Sequence, residues 1–180
     1  MQDSSTSQQI PDWSALAFDA FSQYQVRQVA YVPDAGHSAL IRMCSESPAI
    51  MTVPLTTEEE GIALLTGGWL GGDRGALLMQ SSGVGNCINM LSVNKVCAVP
   101  TLMLVTMRGE EGETNPWQVP MGQAMRDLLA ATGVAQFRIS ETGHTAEVLG
   151  EAMELAFNDH RMVAVCIAQS LIGVKQFVGK

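Results

Sequence analysis

Residues 56–91 of the chain read TTEEEGIALLTGGWLGGDRGALLMQSSGVGNCINML, and the order of features in this stretch predicts a fold and a site. Three consecutive acids open an expected helix that carries a run of small residues. A short apolar strand, residues 75–80, follows and leads into a glycine-rich turn, residues 82–86. A carboxylate, a strand and a Gly/Asn turn in close succession are typical of a ligand site at the carboxyl edge of a parallel sheet.

Outside this stretch, apolar segments of strand length alternate with segments of helical periodicity. Strands are expected at residues 27–32, 49–53, 75–80, 101–106, 134–139 and 162–168, and helices at residues 12–24, 37–44, 58–70, 84–93, 120–133 and 145–157. The continuously apolar fourth strand is typical of one covered on both faces. The alternation predicts a three-layer α/β fold with a mainly parallel six-stranded sheet and helices on both faces.

The composition suits one domain and excludes several classes of protein. The chain has 180 residues, of which 47% are apolar and 16% charged, and its net charge is −8. We assign residues 12–172 to a single domain between a flexible N-terminus, residues 1–11, and a C-terminal tail, residues 173–180. The acidic charge argues against a nucleic-acid partner, and no apolar run reaches the roughly 18 residues of a membrane span.

The N-terminus and the cysteines indicate a cytoplasmic protein. The first residues are polar and lack the positive region of a signal peptide. The four cysteines share no CxxC spacing and lie near apolar residues: Cys44, Cys87, Cys97 and Cys166. Reduced, buried thiols are therefore expected, rather than a disulfide or a metal site.

The three consecutive acids also have a local structural explanation. Two Thr-x-x-Glu spacings, which end at Glu59 and Glu60, are typical of a capping box, and carboxylates favour a helix N-terminus in any case. From the local sequence alone, helix capping is the favoured role for any one of the three acids. For Glu58 and Glu60, helix capping or solvent exposure is the expectation.

An ordered set of segments resembles the pyrimidine-binding domain of thiamine-diphosphate enzymes. The matching segments are residues 32–36 (VPDAG), 59–70 (EEGIALLTGGWL) and 80–89 (QSSGVGNCIN), with residues 108–109 (RG), 115–118 (NPWQ) and 120–122 (PMG) adding to the similarity. Within these enzymes the chain is most similar to the separate alpha subunit of sulfopyruvate decarboxylase and to the corresponding part of phosphonopyruvate decarboxylase. The similarity extends over nearly the whole chain, about residues 13–172.

The resemblance implies half of a site. Thiamine-diphosphate enzymes hold Mg²⁺ and the cofactor diphosphate with a Gly-Asp-Gly motif, followed later by Asn, in a second domain. Residues 72–75 here read GDRG, which is not that motif. The implied partner is therefore a beta subunit that carries the diphosphate and Mg²⁺-binding domain. Pairing of copies within an assembly of at least α2β2 is implied as well, and no metal site is expected on this chain.

The resemblance gives Glu59 the catalytic role. In the family the matching glutamate hydrogen-bonds the aminopyrimidine ring nitrogen of thiamine diphosphate and favours the tautomer that activates the cofactor. Gly83, Gly85 and Asn86 are expected to bind the cofactor together with Glu59, because a glycine backbone lets a flat ring approach. A simple tight turn before a helix is the alternative. A dinucleotide fingerprint fits less well because its final glycine is absent.

Three residues are expected to bind the substrate: Asn86, His37 and Arg108. His37 follows the turn after the first strand, where it can bind substrate or transfer a proton; a histidine without a role is the alternative. Arg108 follows the fourth strand and can hold a carboxylate, sulfonate or phosphonate. The alternative for Arg108 is an ordinary ion pair with Glu110 or Glu111.

The predicted function is a subunit of a thiamine-diphosphate-dependent 2-oxo acid decarboxylase that converts sulfopyruvate or phosphonopyruvate to the aldehyde and CO₂. A non-catalytic module of the same fold that binds a partner or a ligand is one alternative. A flavodoxin-like module that acts alone as a monomer is another. No Ser-His-Asp set can be assembled, and Ser81 or Ser82 is the only candidate nucleophile to consider.

Overall fold

A computed structural model of the chain describes residues 12–172, so the expected flexible N-terminus and C-terminal tail lie outside the described residues. The strands are β1 Val26–Tyr31, β2 Met51–Pro54, β3 Arg74–Gln80, β4 Thr101–Thr106, β5 Ala135–Ile139 and β6 Met162–Ile167. The helices are α1 Trp13–Gln23, α2 Ser38–Glu46, α3 Glu58–Leu70, α4 Val84–Cys97, α5 Gln118–Thr132, α6 Thr145–Phe157 and α7 Gln169–Ile172. None of these helices has the length and apolarity that a bilayer crossing requires.

The six strands form one sheet in the order β2-β1-β3-β4-β6-β5, and each neighbouring pair runs parallel. All carboxyl ends therefore meet at one edge. The chain moves outward from β1 to β2 and then returns to the other side of β1 to form β3. A reversal of this kind opens a crevice at the carboxyl edge between β1 and β3, which is where ligands bind in open α/β sheets.

Helices cover both faces of the sheet, which confirms the predicted three-layer fold. α1, α2 and α6 pack on one face, and α3, α4 and α5 pack on the other. Successive strand residues point to opposite faces, so Leu78 lies in the first core layer while Leu77 and Met79 lie in the second. Every residue of β4 and β6 is buried, as the apolar run in β4 predicts.

The predicted bounds of α3, β4 and α6 are confirmed, but α4 continues four residues beyond its predicted end. Asn94 explains the extension. Its Nδ2 donates to Thr101 Oγ1 at 2.8 Å, and its Oδ1 accepts from Thr66 Oγ1 at 2.9 Å. These tertiary bonds hold the last turn of α4 until Ala98, whose positive φ of 51° ends the helix. Local periodicity contains no sign of them.

The cysteine prediction is correct for three of the four thiols. Cys44, Cys87 and Cys166 are free and buried, and burial raises the pKa of Cys44 to about 12. Cys97 is free but exposed, so its predicted burial is wrong. Cys97 is the last residue of α4, beside the exposed side chain of Val96, on the side of the helix that faces away from the sheet.

Candidate functional site

The carboxyl edge of the sheet collects the residues predicted to be functional. His37 follows β1, Glu59 follows β2, and Arg108 follows β4. Between β3 and α4 the chain makes a 3₁₀ turn, Ser81–Gly83. Because the strands are parallel, these connections lie side by side around the crevice between β1 and β3.

Glu59 lies in the first turn of α3, and the helix cap does not use it. Glu60 makes the capping box with Thr57, and Glu60 Oε2 accepts the backbone N–H of Thr56 at 3.0 Å. Glu59 Oε2 is buried and receives no hydrogen bond from the described residues. A buried polar atom without a partner costs about 1–3 kcal/mol. The arrangement therefore leaves a carboxylate oxygen that a group from outside this chain can satisfy.

Glu58 does not take the exposed or capping role expected of it, and that expectation is wrong. The residue is only 7% exposed, and its Oε2 accepts a hydrogen bond from Asn86 Nδ2 at 2.7 Å. Gly83 lies directly against it, since a Cβ at Gly83 would stand 2.2 Å from Glu58 Oε1. The reason is tertiary: the first turn of α3 packs beside the start of α4, and Glu58 turns inward to this contact.

This contact determines what Gly83 and Asn86 do in the described structure. The absent side chain of Gly83 makes room for Glu58, and Asn86 holds the Glu58 carboxylate. Gly85 is exposed, and a Cβ there would reach ordinary contact distance, 3.4 Å, from Met121 Sδ. Direct contact of these residues with a cofactor stays a prediction.

His37 is completely buried rather than open at the sheet edge. Its ring lies edge-on to Trp13 with a centroid distance of 5.8 Å. Its Nδ1 is 3.6 Å from Asp34 Oδ2, longer than a hydrogen bond, and neither ring nitrogen bonds to a described residue. α1 thus covers the imidazole, so contact with substrate stays a prediction that requires the start of α1 to move.

Asp34 is a site residue that the sequence interpretation missed. Its Oδ2 accepts the Thr106 hydroxyl at 2.7 Å and the backbone N–H of Gly36 at 3.1 Å. Burial alone would raise the pKa of Asp34, but His37, Thr106 and the Arg108 guanidinium lower it to about 2. A Cβ at Gly36 would come within 2.8 Å of Asp34 Oδ2. The Asp-x-Gly spacing directly after a strand is the signal that indicates such a turn.

We expect Asp34→Asn to weaken the fold most near neutral pH. The folded-state pKa, about 2, lies below the ordinary value of 3.8, so ionised Asp34 contributes stability above about pH 4 that is lost as the pH falls toward 2. The shift corresponds to about 2 kcal/mol. Urea unfolding at several pH values checks this: the difference between wild type and variant should shrink as the pH falls.

Asp73→Asn is the matched control for that series. Asp73 is exposed, and its side chain accepts a surface hydrogen bond from Gln28 Nε2 at 3.1 Å. It should change the free energy of unfolding by less than about 0.5 kcal/mol. A wild-type-like stability of Asp34→Asn at pH 7 would contradict the assignment of Asp34 as a stabilising buried carboxylate.

Arg108 is buried, at 8% exposed, and is fixed through its backbone. Its N–H donates to Ser81 Oγ at 3.0 Å. The alternative ion pair with Glu110 is not formed, because Glu110 pairs with Arg138 at 2.8 Å. Arg108 Nε has no hydrogen-bond partner among residues 12–172. Arg108 Nε can thus donate to a ligand, while the guanidinium charge also acts on the Asp34 and Glu113 carboxylates. The fully buried Ser81 is occupied in holding Arg108, which disfavours Ser81 as a nucleophile.

The connection after Arg108 is fixed by hydrogen bonds to α7. Gln169 donates from its backbone N–H to Glu110 Oε2 and from Nε2 to Glu113 Oε2, both at 2.9 Å. Burial acts to raise the pKa of Glu113, but the N–H groups of Asn115 and Gly109 and the Gln169 amide lower it. The long segment between β4 and α5 is therefore a defined structure at the edge of the site.

Gln118 is a second residue that the sequence interpretation did not assign to the site. It begins α5 and is 5% exposed. Its Nε2 donates to Gln80 Oε1 at 3.4 Å, while its own Oε1 has no partner among the described residues. Residues 115–118 already contributed to the family resemblance, but nothing in their local pattern shows that the amide turns inward.

Buried polar atoms without partners concentrate at this edge. In the described part of the chain they belong to His37, Glu59, Arg108, Gln118 and Thr145. Each of these residues follows the carboxyl end of a strand. Such atoms are rare in protein interiors, so this edge carries groups that a water molecule, a ligand or another chain can satisfy.

A separate cavity of about 300 Å³ lies between α5 and the β5–β6 edge. Its lining includes Met107, Met125, Phe137 and Cys166, and does not include Glu59 or Arg108. Residues 12–172 contain no group of three or more His, Cys, Asp or Glu side chains arranged to hold a metal ion. The residues predicted to be functional thus lie outside this cavity, at the carboxyl edge of the sheet.

Comparison with known proteins confirms the resemblance. The chain is 34% identical over 155 residues to the sulfopyruvate decarboxylase subunit alpha of Methanococcus maripaludis, which covers 86% of this chain and 93% of that subunit. It is 37% identical over 106 residues to a phosphonopyruvate decarboxylase of Streptomyces viridochromogenes, over 58% of this chain and 27% of that protein. No family model matches the chain.

A solved structure with the same fold is a 2-oxoglutarate:ferredoxin oxidoreductase from Magnetococcus marinus. Its TM-score to this chain is 0.72 over 90% of the chain, which spans 29% of that larger protein. The two sequences are only 14% identical, so the likeness concerns the fold alone.

Proposed function

This chain belongs to the family of sulfopyruvate decarboxylase alpha subunits, and we propose that it is the pyrimidine-binding subunit of a thiamine-diphosphate-dependent 2-oxo acid decarboxylase. The proposed substrate is a three-carbon 2-oxo acid with a second anionic group, sulfopyruvate or phosphonopyruvate, and the proposed products are the aldehyde and CO₂. The observation that carries the proposal is the buried, unpaired Oε2 of Glu59 at the sheet edge.

Glu59 fits the role of holding the aminopyrimidine. Its free oxygen can share a proton with a ring nitrogen, and burial strengthens such a hydrogen bond because water does not compete. Thiamine diphosphate, when bound, supplies the electron sink for the loss of CO₂. Glu60 caps the helix instead, so Glu59 can bind a ligand without loss of the cap.

The neighbouring residues hold Glu59 in place. The Glu58–Asn86 hydrogen bond ties the first turn of α3 to the first turn of α4. Gly83 allows that close approach because it has no side chain. We propose that Gly83, Gly85 and Asn86 also border the cofactor, with the glycine backbones leaving room for a flat ring.

Arg108 is the proposed contact for an anionic group of the substrate. A guanidinium held through its backbone, with Nε free, can donate to a carboxylate, sulfonate or phosphonate. Asn86 and His37 are the other proposed substrate residues. His37 would need the start of α1 to move away from its ring.

The proposed partner is a beta subunit that supplies the diphosphate and Mg²⁺ half of the site. The name of the relative, an alpha subunit, supports a partner chain. Exposed apolar side chains on α3 and α4 support a covered surface: Leu70 is 78% exposed and Val96 is 85% exposed. We propose an assembly of at least α2β2, in which copies of this chain also pair.

Decarboxylation by the reconstituted complex tests the proposal. The chain is co-purified with its beta subunit, and CO₂ release from sulfopyruvate and phosphonopyruvate is measured with thiamine diphosphate and Mg²⁺. Release that requires both subunits and the cofactor is expected. A stable complex that releases no CO₂ from either acid would instead favour a non-catalytic module that keeps the fold.

A further inference from the structure

We infer that Gln118, acting with Gln80, is a specificity-determining residue that contacts the second anionic group of the substrate beside Arg108. This inference rests on the proposed function and deepens it. Two observations carry it. Gln118 at the start of α5 has a buried amide oxygen without a partner among the described residues, and α5 packs on the backbone of Arg108, a buried arginine whose Nε also lacks a partner there.

The start of α5 is docked on the backbone of Arg108. A Cβ at Gly122 would stand 1.9 Å from the Arg108 carbonyl oxygen, so helix and loop touch through bare backbone. A Cβ at Gly109 would stand 2.9 Å from the Gln118 carbonyl oxygen. These backbone contacts hold Gln118 next to Gly109, the residue that follows Arg108, and leave the start of α5 little room to move.

The end of β3 makes a second contact with Gln118. Gln118 Nε2 donates to Gln80 Oε1 at 3.4 Å, and the next residue, Ser81, accepts the Arg108 backbone N–H at 3.0 Å. The two amides therefore lie at the carboxyl end of β3, next to the residue whose hydroxyl holds the Arg108 backbone. This is the crevice side of the sheet, adjacent to the connections that carry Asp34 and Glu59.

The two unpaired atoms are complementary. Arg108 Nε can only donate, and Gln118 Oε1 can only accept. Both side chains are more than nine-tenths buried, at 8% and 5% exposed, so neither is satisfied by bulk water. A ligand that satisfies both must present a hydrogen-bond acceptor to Arg108 Nε, for which an oxyanion is well suited, and a donor hydrogen to Gln118 Oε1.

A singly ionised phosphonate has both groups, whereas a sulfonate has oxyanions only. To receive a sulfonate, the two amides must rotate so that Gln80 donates to Gln118 Oε1 and Gln118 Nε2 faces the ligand. The pair can present either an acceptor or a donor, because an amide carries both. The orientation of the Gln80 and Gln118 amides therefore determines whether a phosphonate or a sulfonate is bound without rotation of these side chains.

The test uses Gln118→Leu in the reconstituted complex, with sulfopyruvate, phosphonopyruvate and pyruvate each assayed as substrate or competitive inhibitor. We expect KM for sulfopyruvate and phosphonopyruvate to rise about tenfold, with little change in kcat. KM or the inhibition constant for pyruvate, which lacks the second anion, should change less than about twofold. Gln123→Leu, an exposed glutamine on the same helix, is the matched control and should change none of these values. Equal losses for all three acids, or no loss, would overturn the inference.

A second variant tests the orientation of the amide pair. Gln80→Glu can only accept, so it holds Gln118 Nε2 and leaves Oε1 facing the ligand. The ratio of kcat/KM for phosphonopyruvate to that for sulfopyruvate should rise at least about fivefold. An unchanged ratio would overturn the proposal that this pair discriminates between a phosphonate and a sulfonate.

A binding measurement separates this inference from the proposed function. Phosphonoacetate is titrated into the ¹⁵N-labelled full chain, and the Gln118 side-chain amide signal is assigned by its loss in Gln118→Leu. A saturable shift of that signal supports the inference even if the complex releases no CO₂, which is the failure of the proposed function. If the signal shifts neither in the chain nor in the complex, the inference is overturned while the proposed function is unaffected.

Discussion

Replacement of Glu59 by glutamine should abolish most of the activity of the reconstituted enzyme while leaving the fold intact. Glutamine has nearly the same shape, and the helix cap is made by Glu60, so the free energy of unfolding should change little. In the proposed function Glu59 shares a proton with the cofactor, and loss of that carboxyl group should lower kcat by about 100- to 10,000-fold. Steady-state kinetics with saturating thiamine diphosphate measures this effect.

Glu60→Gln is the matched control for Glu59→Gln. The substitution is the same and the residue is the next one along α3, but the side chain serves the helix N-terminus. It should change stability by at most about 1 kcal/mol and leave kcat within a few-fold of wild type. Near-normal decarboxylation by Glu59→Gln, or an equal loss in both variants, would contradict the role of Glu59.

Gly122→Ala should destabilise the fold strongly, although it adds only one methyl group. Its Cβ would lie 1.9 Å from the Arg108 carbonyl oxygen and 3.1 Å from the Gly109 Cα, and both obstacles are backbone. α5 must therefore move away, which we expect to cost about 3 kcal/mol despite the better helix propensity of alanine. The midpoint of thermal unfolding should fall by about 6–12 °C.

Gly67→Ala provides the comparison for Gly122→Ala. Gly67 also lies within a helix, α3, but a Cβ there meets nothing within 4 Å. The isolated chain should be unchanged or stabilised by up to about 1 kcal/mol, since alanine is the better helix former. A Gly122→Ala variant as stable as Gly67→Ala would show that the α5–Arg108 contact yields easily and does not fix Gln118.

The fold could be predicted from sequence because its signals are local and repeated. Apolar runs such as β4 and periodic segments such as α6 depend only on neighbouring residues, and their alternation leaves few topologies. Glu59 is singled out among the three acids because its spacing to Gly68 and Asn86 matches the pyrimidine-binding domain that the chain resembles, and its catalytic role stays a prediction.

The pairings within the site could not be predicted in the same way. Glu58 is held by Asn86 and Asp34 by Thr106, partners that are 28 and 72 residues away along the chain. Nothing in a local pattern shows which side of the helix start turns inward, so the sequence pattern places Glu58 in solvent or in the cap. The burial of His37 under Trp13 also depends on how α1 packs. Periodicity predicts that α1 lies on the sheet, but it does not predict which side chain α1 covers.

The same limit explains why the sequence pattern does not assign Gln118 to the site. Its position at the start of α5 depends on Gly122 and Gly109 allowing the helix to touch the Arg108 peptide. Pro120 suggests the helix start, but the helix begins two residues earlier, at Gln118, with the proline in its first turn, where a missing N–H costs nothing.

Thiamine diphosphate binding by the chain alone, by the beta subunit alone and by their complex tests the central claim most directly. Titration calorimetry in the presence of Mg²⁺ should show saturable binding by the complex. Neither subunit should match that affinity by itself, because in the proposed assembly each supplies half of the site. An intact complex that binds no thiamine diphosphate, or full-affinity binding by this chain alone, would contradict the account.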